Sequence, residues 1–455
     1  MKNRTVLKKD FIYSIGFITF FLSFWISGLF YNINLCALLV YVAYIYFIYK
    51  TKKRFFINYF WLFTMSTLNI VGVFVCEFSP QYINELRLTT YYSCSLVPLI
   101  ILYVVLFVSI DLYDFSNKMI PPCISNIQKE TEAKKYNIIL LIGIVIACVL
   151  FIRVANQPYF ALGLSRIEYL RQMASWERSL KSLLPTFIPV AMMCIFEKKN
   201  KLKPIFFLFI LGLYYFWTGD KFGNFFFAFY VIVLCYSQKI SEKVIKKVIV
   251  WLVLFVIGIL LIVYIQQLVI NGVSGFKLFS TYLQQRLLGQ GEVWWSVYSQ
   301  LCNQVPHAGE FYKEMLAMLP FNKIPIEQYG QWKMMQVADH YSYFSLARIK
   351  EGIPFTATST ASIYYYLGFG GSILAYVLIG LVYGKLIRDT VDSFNRKKIL
   401  ESMICVKLIF AMNNLLFASD LYICSYKGLI YLFALLIVKK YRFKLGRLNY
   451  FKQIK

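Results

Sequence analysis

The chain of 455 residues is poor in charged residues and in histidine. Only 15% of its residues are charged and two are histidine, whereas 59% are hydrophobic. A soluble domain contains about 25% charged residues, so this composition excludes an ordinary soluble protein. The ten cysteines form no CxxC pair and no regular pattern, so no disulfide framework is indicated. The absence of a Walker loop and of a GxGxxG motif argues against nucleotide hydrolysis, and we expect no cofactor.

Acidic residues are scarce relative to basic ones. Lys and Arg total 48 against 22 Asp and Glu, a formal net charge of +26. In a soluble protein this excess would suggest nucleic acid, but cytoplasmic loops of membrane proteins also collect Lys and Arg. A spanning helix needs roughly 20 apolar residues. By that rule the sequence predicts twelve spans, near 11–30, 33–49, 55–75, 93–110, 137–155, 182–196, 204–218, 222–237, 249–270, 359–384, 402–418 and 421–438.

The basic residues predict the orientation of these spans. With the N-terminus in the cytoplasm, the inner loops include the short basic segments "KTKKR", "EKKNKLK" and "QKISEKVIKK", as the positive-inside rule requires. Both termini are then cytoplasmic, and nucleic acid is not an expected partner. The first apolar run lacks a small-residue cleavage site, which favours a first span over a removed signal peptide. We therefore predict an all-α polytopic protein, with residues 1–455 forming one membrane domain.

Two unusual segments lie on the predicted outer side. The first, 153–181, carries an arginine cluster that includes Arg166 and Arg171. The positive-inside rule disfavours arginine in short external loops, so we expect an anionic ligand to offset that penalty. The alternative is that these arginines pair with Glu168 and Glu177, or extend their side chains toward lipid headgroups.

The second external segment, 271–358, is too long for an idle connection. It is rich in aromatic residues, and apolar residues recur at helical spacing in 309–319 and 331–347. We therefore expect two or three short helices on the outer surface of the bundle.

This second segment combines the chemical groups that a sugar-phosphate site needs. Arg286 and Arg348 suit bidentate binding of phosphate. Trp294, Trp295 and Tyr298 suit stacking on sugar rings, although interfacial membrane proteins also carry such aromatic belts. Glu292, Asp339 and His340 are candidates for proton transfer, although His340 beside Asp339 is also compatible with an ordinary solvated histidine. No His/Asp cluster has metal-ligand spacing, so we expect no metal.

Two further features stand at the membrane boundary or inside it. Small hydroxyl residues in "FTATSTAS" (355–362) are followed by "LGFGG" (367–371). The hydroxyls could bond a sugar or diphosphate, and the glycines could admit a neighbouring helix. Lys407 lies within a predicted span, and we expect its long side chain to reach the cytoplasmic interface.

Three patches resemble the O-antigen polymerases (Wzy type) of bacterial surface polysaccharide clusters. They are "GLSRIEYLRQ" (163–172), "RLLGQGEVWW" (286–295) and "FTATSTASIYYYLGFGG" (355–371). The resemblance implies a C-type glycosyltransferase membrane bundle in the bacterial inner membrane, with a large external helical loop. It also implies metal-independent polymerisation of undecaprenyl-diphosphate-linked repeat units on the periplasmic face, and a co-polymerase partner that regulates chain length.

Carried onto this sequence, the resemblance assigns diphosphate binding to Arg166, Arg171 and Arg286. Gly289 and Gly291 would then allow the backbone to approach phosphate, and Trp294 and Trp295 would border the sugar site. The alternatives are an O-antigen ligase, which shares the topology and chemistry, and a lipid-linked oligosaccharide flippase, which would have short loops throughout. An acyltransferase is disfavoured because both histidines lie in the external segment.

Overall fold

The chain is an all-α membrane protein with one small β-hairpin in its described part. The computed structural model describes residues 33–118, 132–157, 162, 169, 172–196, 201–219, 224–238, 276–302, 306–317, 319, 330–340 and 358–453, with isolated positions between 254 and 265. About 86% of it is helical. Strands β1 (Tyr82–Ile83) and β2 (Leu88–Thr89) pair antiparallel. The helices are α1 (Ile33–Thr51), α2 (Lys53–Asn58), α3 (Phe60–Phe78), α4 (Leu96–Lys118), α5 (Glu132–Ala155), α6 (Ser175–Leu183), α7 (Ile188–Phe196), α8 (Leu202–Trp217), α9 (Phe226–Ser237), α10 (Phe276–Leu301), α11 (Ala308–Ala317), α12 (Gly330–Ala338), α13 (Ser359–Asn395), α14 (Ile399–Ala418) and α15 (Tyr426–Gln453), with 3-10 turns at Leu184–Phe187 and Leu421–Cys424.

Seven of the described helical stretches are long and apolar enough to cross a membrane. They are Ile33–Thr51, Phe60–Phe78, Leu96–Asp114, Tyr136–Ala155, Ser175–Phe196, Ser359–Asn395 and Ile399–Ala418, and Leu202–Trp217 and Phe226–Ser237 are shorter apolar helices. The predicted spans 11–30 and most of 249–270 lie outside the described residues, and each of the other predicted spans contains helix. The count of twelve therefore stays a prediction.

Helix α4 forms the centre of the bundle. Its apolar residues from Leu96 to Ile110 are buried around the whole circumference, which is expected of a helix enclosed by other helices rather than by lipid. Helix α13 runs alongside it at close range, because a Cβ atom at Gly380 would lie 2.8 Å from the carbonyl oxygen of Leu106. The small residue thus allows the two backbones to approach, as in other membrane helix pairs.

The two ends of the bundle differ in chemistry. One end, called here the basic end, holds the ion pairs Lys52–Asp111 (2.7 Å), Lys398–Glu401 (3.3 Å) and Lys439–Asp389 (2.6 Å). The opposite end, called here the hairpin end, holds strands β1 and β2, helices α10 to α12 and the start of α13. Described segments that the sequence assigns to one side of a membrane therefore lie together at one end.

Helix α10, which contains the 286–295 patch, was not anticipated as one continuous helix. It crosses α3 so closely that a Cβ atom at Gly72 would lie 2.6 Å from the carbonyl oxygen of Leu287, and one at Gly291 would overlap the backbone of Val73. The buried amide of Asn69 donates to the carbonyl oxygen of Gln290 and accepts from the Tyr103 hydroxyl at 2.9 Å. Gly291 therefore marks a helix crossing, where the sequence alone suggested close approach to phosphate.

The remaining elements of the hairpin end follow the periodic pattern only in part. Helix α11 begins one residue before the predicted stretch 309–319, and α12 begins one residue before 331–347, of which 341–347 falls outside the described residues. Helix α13 extends past the predicted 359–384, to Asn395, because its polar last turns continue the helix beyond the apolar span. Gly368 has a φ of 65° and kinks α13 beside Pro306, so this glycine bends the helix, whereas the close helix contact occurs at Gly380.

Candidate functional site at the hairpin end

Helix α10 carries three sequence-selected positions in series from the surface to the interior. Arg286 is exposed, Gly289 is half-buried and Glu292 is buried, with 1% of its surface exposed. The spacing of three residues keeps these positions on neighbouring faces of one helix. The Arg286 Nε donates to the Tyr282 hydroxyl at 3.0 Å, and its guanidinium lies 5.2 Å from that ring's centroid. Since a guanidinium has five N–H donors, this contact leaves donors for an anion.

The aromatic residues of the same helix pack into the protein. Trp294 and Trp295 are 1% and 0% exposed, and their indole N–H groups donate to the carbonyl oxygens of Ser95 and Tyr91, both at 2.9 Å. Tyr298 is buried against Trp294, with ring centroids 5.5 Å apart. Their sugar-binding role stays a prediction. In this structure the two indoles attach α10 to the segment that leads into α4, and Tyr298 packs against Tyr364 of α13, with ring centroids 5.3 Å apart.

The other two candidates for proton transfer lie where α12 meets α10. Asp339 is 1% exposed, and the carbonyl oxygen of its neighbour Ala338 accepts from the Ser296 hydroxyl at 2.6 Å. His340 is exposed, has a left-handed φ of 51°, and its Nε2 lies 2.6 Å from Gln300 Nε2. Ser296 and Gln300 follow Glu292 by one and two helical turns. The structure thus brings all three candidates onto one face of α10 and the end of the helix packed against it.

A set of Glu–Tyr contacts, which the sequence did not reveal, joins α11 and α12 to α13. The hydroxyls of Tyr365 and Tyr366 donate to Glu310 and Glu314 respectively. Lys333 pairs with Glu310 at 2.9 Å, and the Gln331 backbone N–H donates to Glu314 at 2.8 Å. Burial raises the pKa of the Glu314 carboxyl. The alternation of carboxylates in "GEFYKEML" with the "YYY" run was the only sequence signal for this contact.

The hydroxyl run at the start of α13 is occupied by contacts within the protein. The pairs are Thr358 with Thr360 (2.5 Å), Ser359 with the Tyr376 hydroxyl (2.8 Å) and Ser362 with Ser419 (2.5 Å), and all are buried. Buried hydroxyls require such partners because an unsatisfied polar group in an apolar interior is costly. Ser362, and Ser359 through a second bond to the carbonyl oxygen of Leu416 at 3.2 Å, hold α13 against the end of α14. The suggested contact of the hydroxyls with sugar or diphosphate stays a prediction.

Lys407 does not extend to an interface, contrary to expectation. It is 5% exposed, its Nζ donates to the carbonyl oxygen of Ser182 at 3.0 Å, and it lies 5.6 Å and 5.9 Å from the ring centroids of Phe410 and Tyr431. Ser182 precedes the 3-10 turn that interrupts the helix between α6 and α7. The interrupted helix supplies the Ser182 carbonyl group, and Phe410 and Tyr431 present the negative faces of their rings. These groups replace water around the Lys407 ammonium.

Three of the predicted diphosphate-binding residues, Arg166, Arg171 and Arg348, lie outside the described residues. In the first external segment, Glu177 pairs with Arg153 at 3.1 Å. Among the described residues, no group of three or more His, Cys, Asp or Glu side chains is arranged to hold a metal ion.

Comparison with known proteins gives one family match. Residues 326–432 match a family of unknown function, DUF6418. This range contains α12, α13 and α14, and with them Asp339, His340 and the Tyr365–Tyr366 contacts, whereas α10 lies before it. No curated protein and no solved structure matches the chain.

Proposed function

We propose that the protein is a glycosyltransferase that polymerises undecaprenyl-diphosphate-linked oligosaccharide repeat units, as an O-antigen polymerase does. The observation that carries the proposal is the series on α10, in which an exposed Arg286, an open Gly289 and a buried Glu292 follow one another. A diphosphate needs a cation at the membrane surface, and proton removal needs a base shielded from bulk water. The series offers both on one rigid helix.

In the proposed reaction, arginine side chains stabilise the negative charge of the leaving diphosphate. As the bond between the donor sugar C1 and the phosphate oxygen breaks, negative charge grows on the leaving diphosphate. A prepositioned arginine stabilises that charge, and the loss of one such donor typically costs about 10²–10³ in rate. Arg286 takes this part at the described site, and Arg166, Arg171 and Arg348 are proposed as further diphosphate contacts.

The base in this proposal is Glu292. Asp339 and His340 are the other two candidates, but Glu292 alone shares the surface-to-interior series with Arg286. Its burial means that few waters compete for its carboxylate, which favours proton transfer from a bound hydroxyl. Asp339 and His340 then support α10 from α12.

The proposal also implies an orientation in the membrane and a protein partner. The hairpin end would face the periplasm, the basic end and both termini would face the cytoplasm, and the protein would span the bacterial inner membrane. A co-polymerase that sets chain length is the expected protein partner, as the resemblance to O-antigen polymerases implies.

The test is a gel of surface polysaccharide from the producing strain with the gene deleted and then restored. A polymerase predicts that deletion leaves lipid A core plus one repeat unit, without a ladder. Restoration with Arg286→Ala should leave long chains reduced about 100-fold or more, Arg286→Lys should restore them in part, and Lys313→Ala, which removes an exposed cation on α11, should restore them fully.

Other gel patterns identify other functions. Complete loss of O antigen on deletion, down to bare core, would indicate a ligase or flippase. An unchanged ladder would contradict any role in this polysaccharide. Full activity of Arg286→Ala would remove the α10 series as the basis of the proposal.

A further inference from the structure

The turn between β1 and β2, for which the sequence predicts no role, lies against the α10 series. The turn between β1 and β2 carries Glu85, whose Oε2 would lie 3.8 Å from a Cβ atom at Gly289. The Oε1 of Glu292 would lie 4.0 Å from the same position. Two carboxyl groups from distant parts of the chain therefore border the space that a side chain at position 289 would fill, beside the exposed Arg286.

The two carboxyl groups have different surroundings. Glu292 is 1% exposed, whereas Glu85 is half-buried and reached by solvent. An ionised carboxylate is much less costly where water hydrates it. Glu85 is therefore suited to accept hydrogen bonds from sugar hydroxyls, and Glu292 is suited to take up a proton within a water-poor space. Paired carboxyls with contrasting environments commonly divide such tasks.

The position of Glu85 is fixed by contacts between the hairpin and α10. Gln285 Nε2 donates to the Tyr82 carbonyl oxygen at 3.0 Å, and Gln285 Oε1 accepts from the Asn84 backbone N–H at 3.3 Å. Gln284 Nε2 donates to Gln81 Oε1 at 2.9 Å. These contacts hold residues before, within and after strand β1, which leads to Glu85. A binding group supported in this way keeps its geometry, which a mobile loop would not.

We propose that Glu85 binds the acceptor sugar at its non-reducing end, through hydroxyl groups beside the one that reacts. This inference rests on the proposed function and adds the acceptor subsite to it. In the transfer, the acceptor oxygen bonds to C1 of the donor sugar and its proton passes to the Glu292 carboxylate. The bond from C1 to the phosphate oxygen breaks, and the diphosphate leaves with the electron pair toward Arg286. Glu85 takes no proton and acts by holding the acceptor between the two.

The test measures transfer by the purified full-length protein in nanodiscs. The donor is the lipid-linked repeat unit extracted from the deletion strain, and the acceptor is the same oligosaccharide freed from lipid and fluorescently labelled at its reducing end. Glu85→Gln should raise the KM for this acceptor about tenfold, with kcat lowered less than threefold. Asn84→Ala, at the exposed neighbouring position, should leave both unchanged, and Glu85→Asp should give an intermediate KM.

The outcomes separate this inference from the proposed function. If the wild type transfers and the acceptor KM is equal in Glu85→Gln and Asn84→Ala, the role of Glu85 is overturned but the proposed function is not. A fall in kcat at constant acceptor KM overturns it as well, because that result indicates a role other than binding. Absence of transfer by the wild type, with both substrates present, contradicts the proposed function itself. Melting curves of each variant in detergent verify that the compared proteins are folded.

Discussion

Gly289 and Gly291 stand two residues apart on one helix, yet their surroundings require glycine for different reasons. A Cβ atom at Gly291 would overlap the backbone of Val73, and backbone cannot move aside as a side chain can. A Cβ atom at Gly289 would meet only carboxylate oxygens at 3.8 Å and 4.0 Å, which is ordinary contact. The first glycine therefore serves packing, and the second leaves open the space between Glu85 and Glu292.

This contrast predicts different results for two alanine variants. Gly291→Ala should lower the free energy of unfolding by about 2 kcal/mol or more, because overpacking forces α3 and α10 apart. Gly289→Ala should remain within about 0.5 kcal/mol of the wild type but transfer more slowly, because its methyl group narrows the proposed site. Thermal unfolding in detergent and the polysaccharide ladder measure the two effects. Equal loss of stability in both variants would contradict the distinction.

For individual residues, the sequence indicated the chemistry of the side chain but not its place in the structure. Arg286 and Glu292 were selected because their side chains suit phosphate and proton transfer, and both lie at the described site. Glu85 was missed because its relevance depends on a partner about 200 positions away in the chain. The tryptophan pair was selected as a stacking surface, but residue type does not determine whether neighbours cover a ring.

Helices α11 and α12 are attached to α13 by acidic side chains as well as by aromatic contacts such as that of Phe311 with Tyr366. Glu314 is central to this attachment, because it accepts from Tyr366 and from the backbone of Gln331. Burial raises its pKa, so the folded protein holds this proton up to a higher pH than the unfolded chain does. The stability that the protonated form contributes is complete below the ordinary carboxyl pKa and is lost as pH rises through the raised value.

The corresponding variant is Glu314→Gln, which retains an acceptor for Tyr366 but cannot ionise. In the wild type, the melting temperature should fall as pH is raised from about the ordinary glutamate pKa through the folded-state value. Glu314→Gln should show a smaller fall over the same range. The comparison requires melting curves of both proteins at matched ionic strength. Parallel pH profiles would indicate that another group controls this dependence.

Among the elements, regular patterns were sufficient for long apolar runs, including that of the enclosed α4, and for short helices with one apolar and one polar face. The long apolar runs located the described spans, and the periodicity in 309–319 and 331–347 located α11 and α12. Helix α10 was not recognised because it is enclosed on several sides by α3, the hairpin and α12, so its residues show no simple apolar face. Its two glycines also suggested a loop, although one of them is required by a helix crossing.

The described part of the molecule has a basic end, where Lys52, Lys398 and Lys439 pair with carboxylates, and a hairpin end, which carries the proposed site. If the hairpin end faces the periplasm, Cys302 offers a direct check, because it is exposed there. In a variant whose other cysteines are replaced, a membrane-impermeant maleimide should label Cys302 in cells with a permeabilised outer membrane. A cysteine placed at Asn395, at the basic end, should react only after lysis. The reverse pattern would contradict the proposed orientation and the proposed function with it.

The contact between Asn69 and Gln290 has a consequence for how the protein is made. The two residues are separated by 221 positions, and at about 5–20 residues per second the ribosome needs roughly 10 to 45 seconds to add the second after the first. Throughout that interval α3 is already synthesised, but α10 does not yet cover the Asn69 amide or the backbone at Gly72. The nascent chain therefore passes through a stage in which this polar surface of α3 faces either lipid or the insertion machinery. The packing of α10 onto α3 is a late event in the biogenesis of the protein.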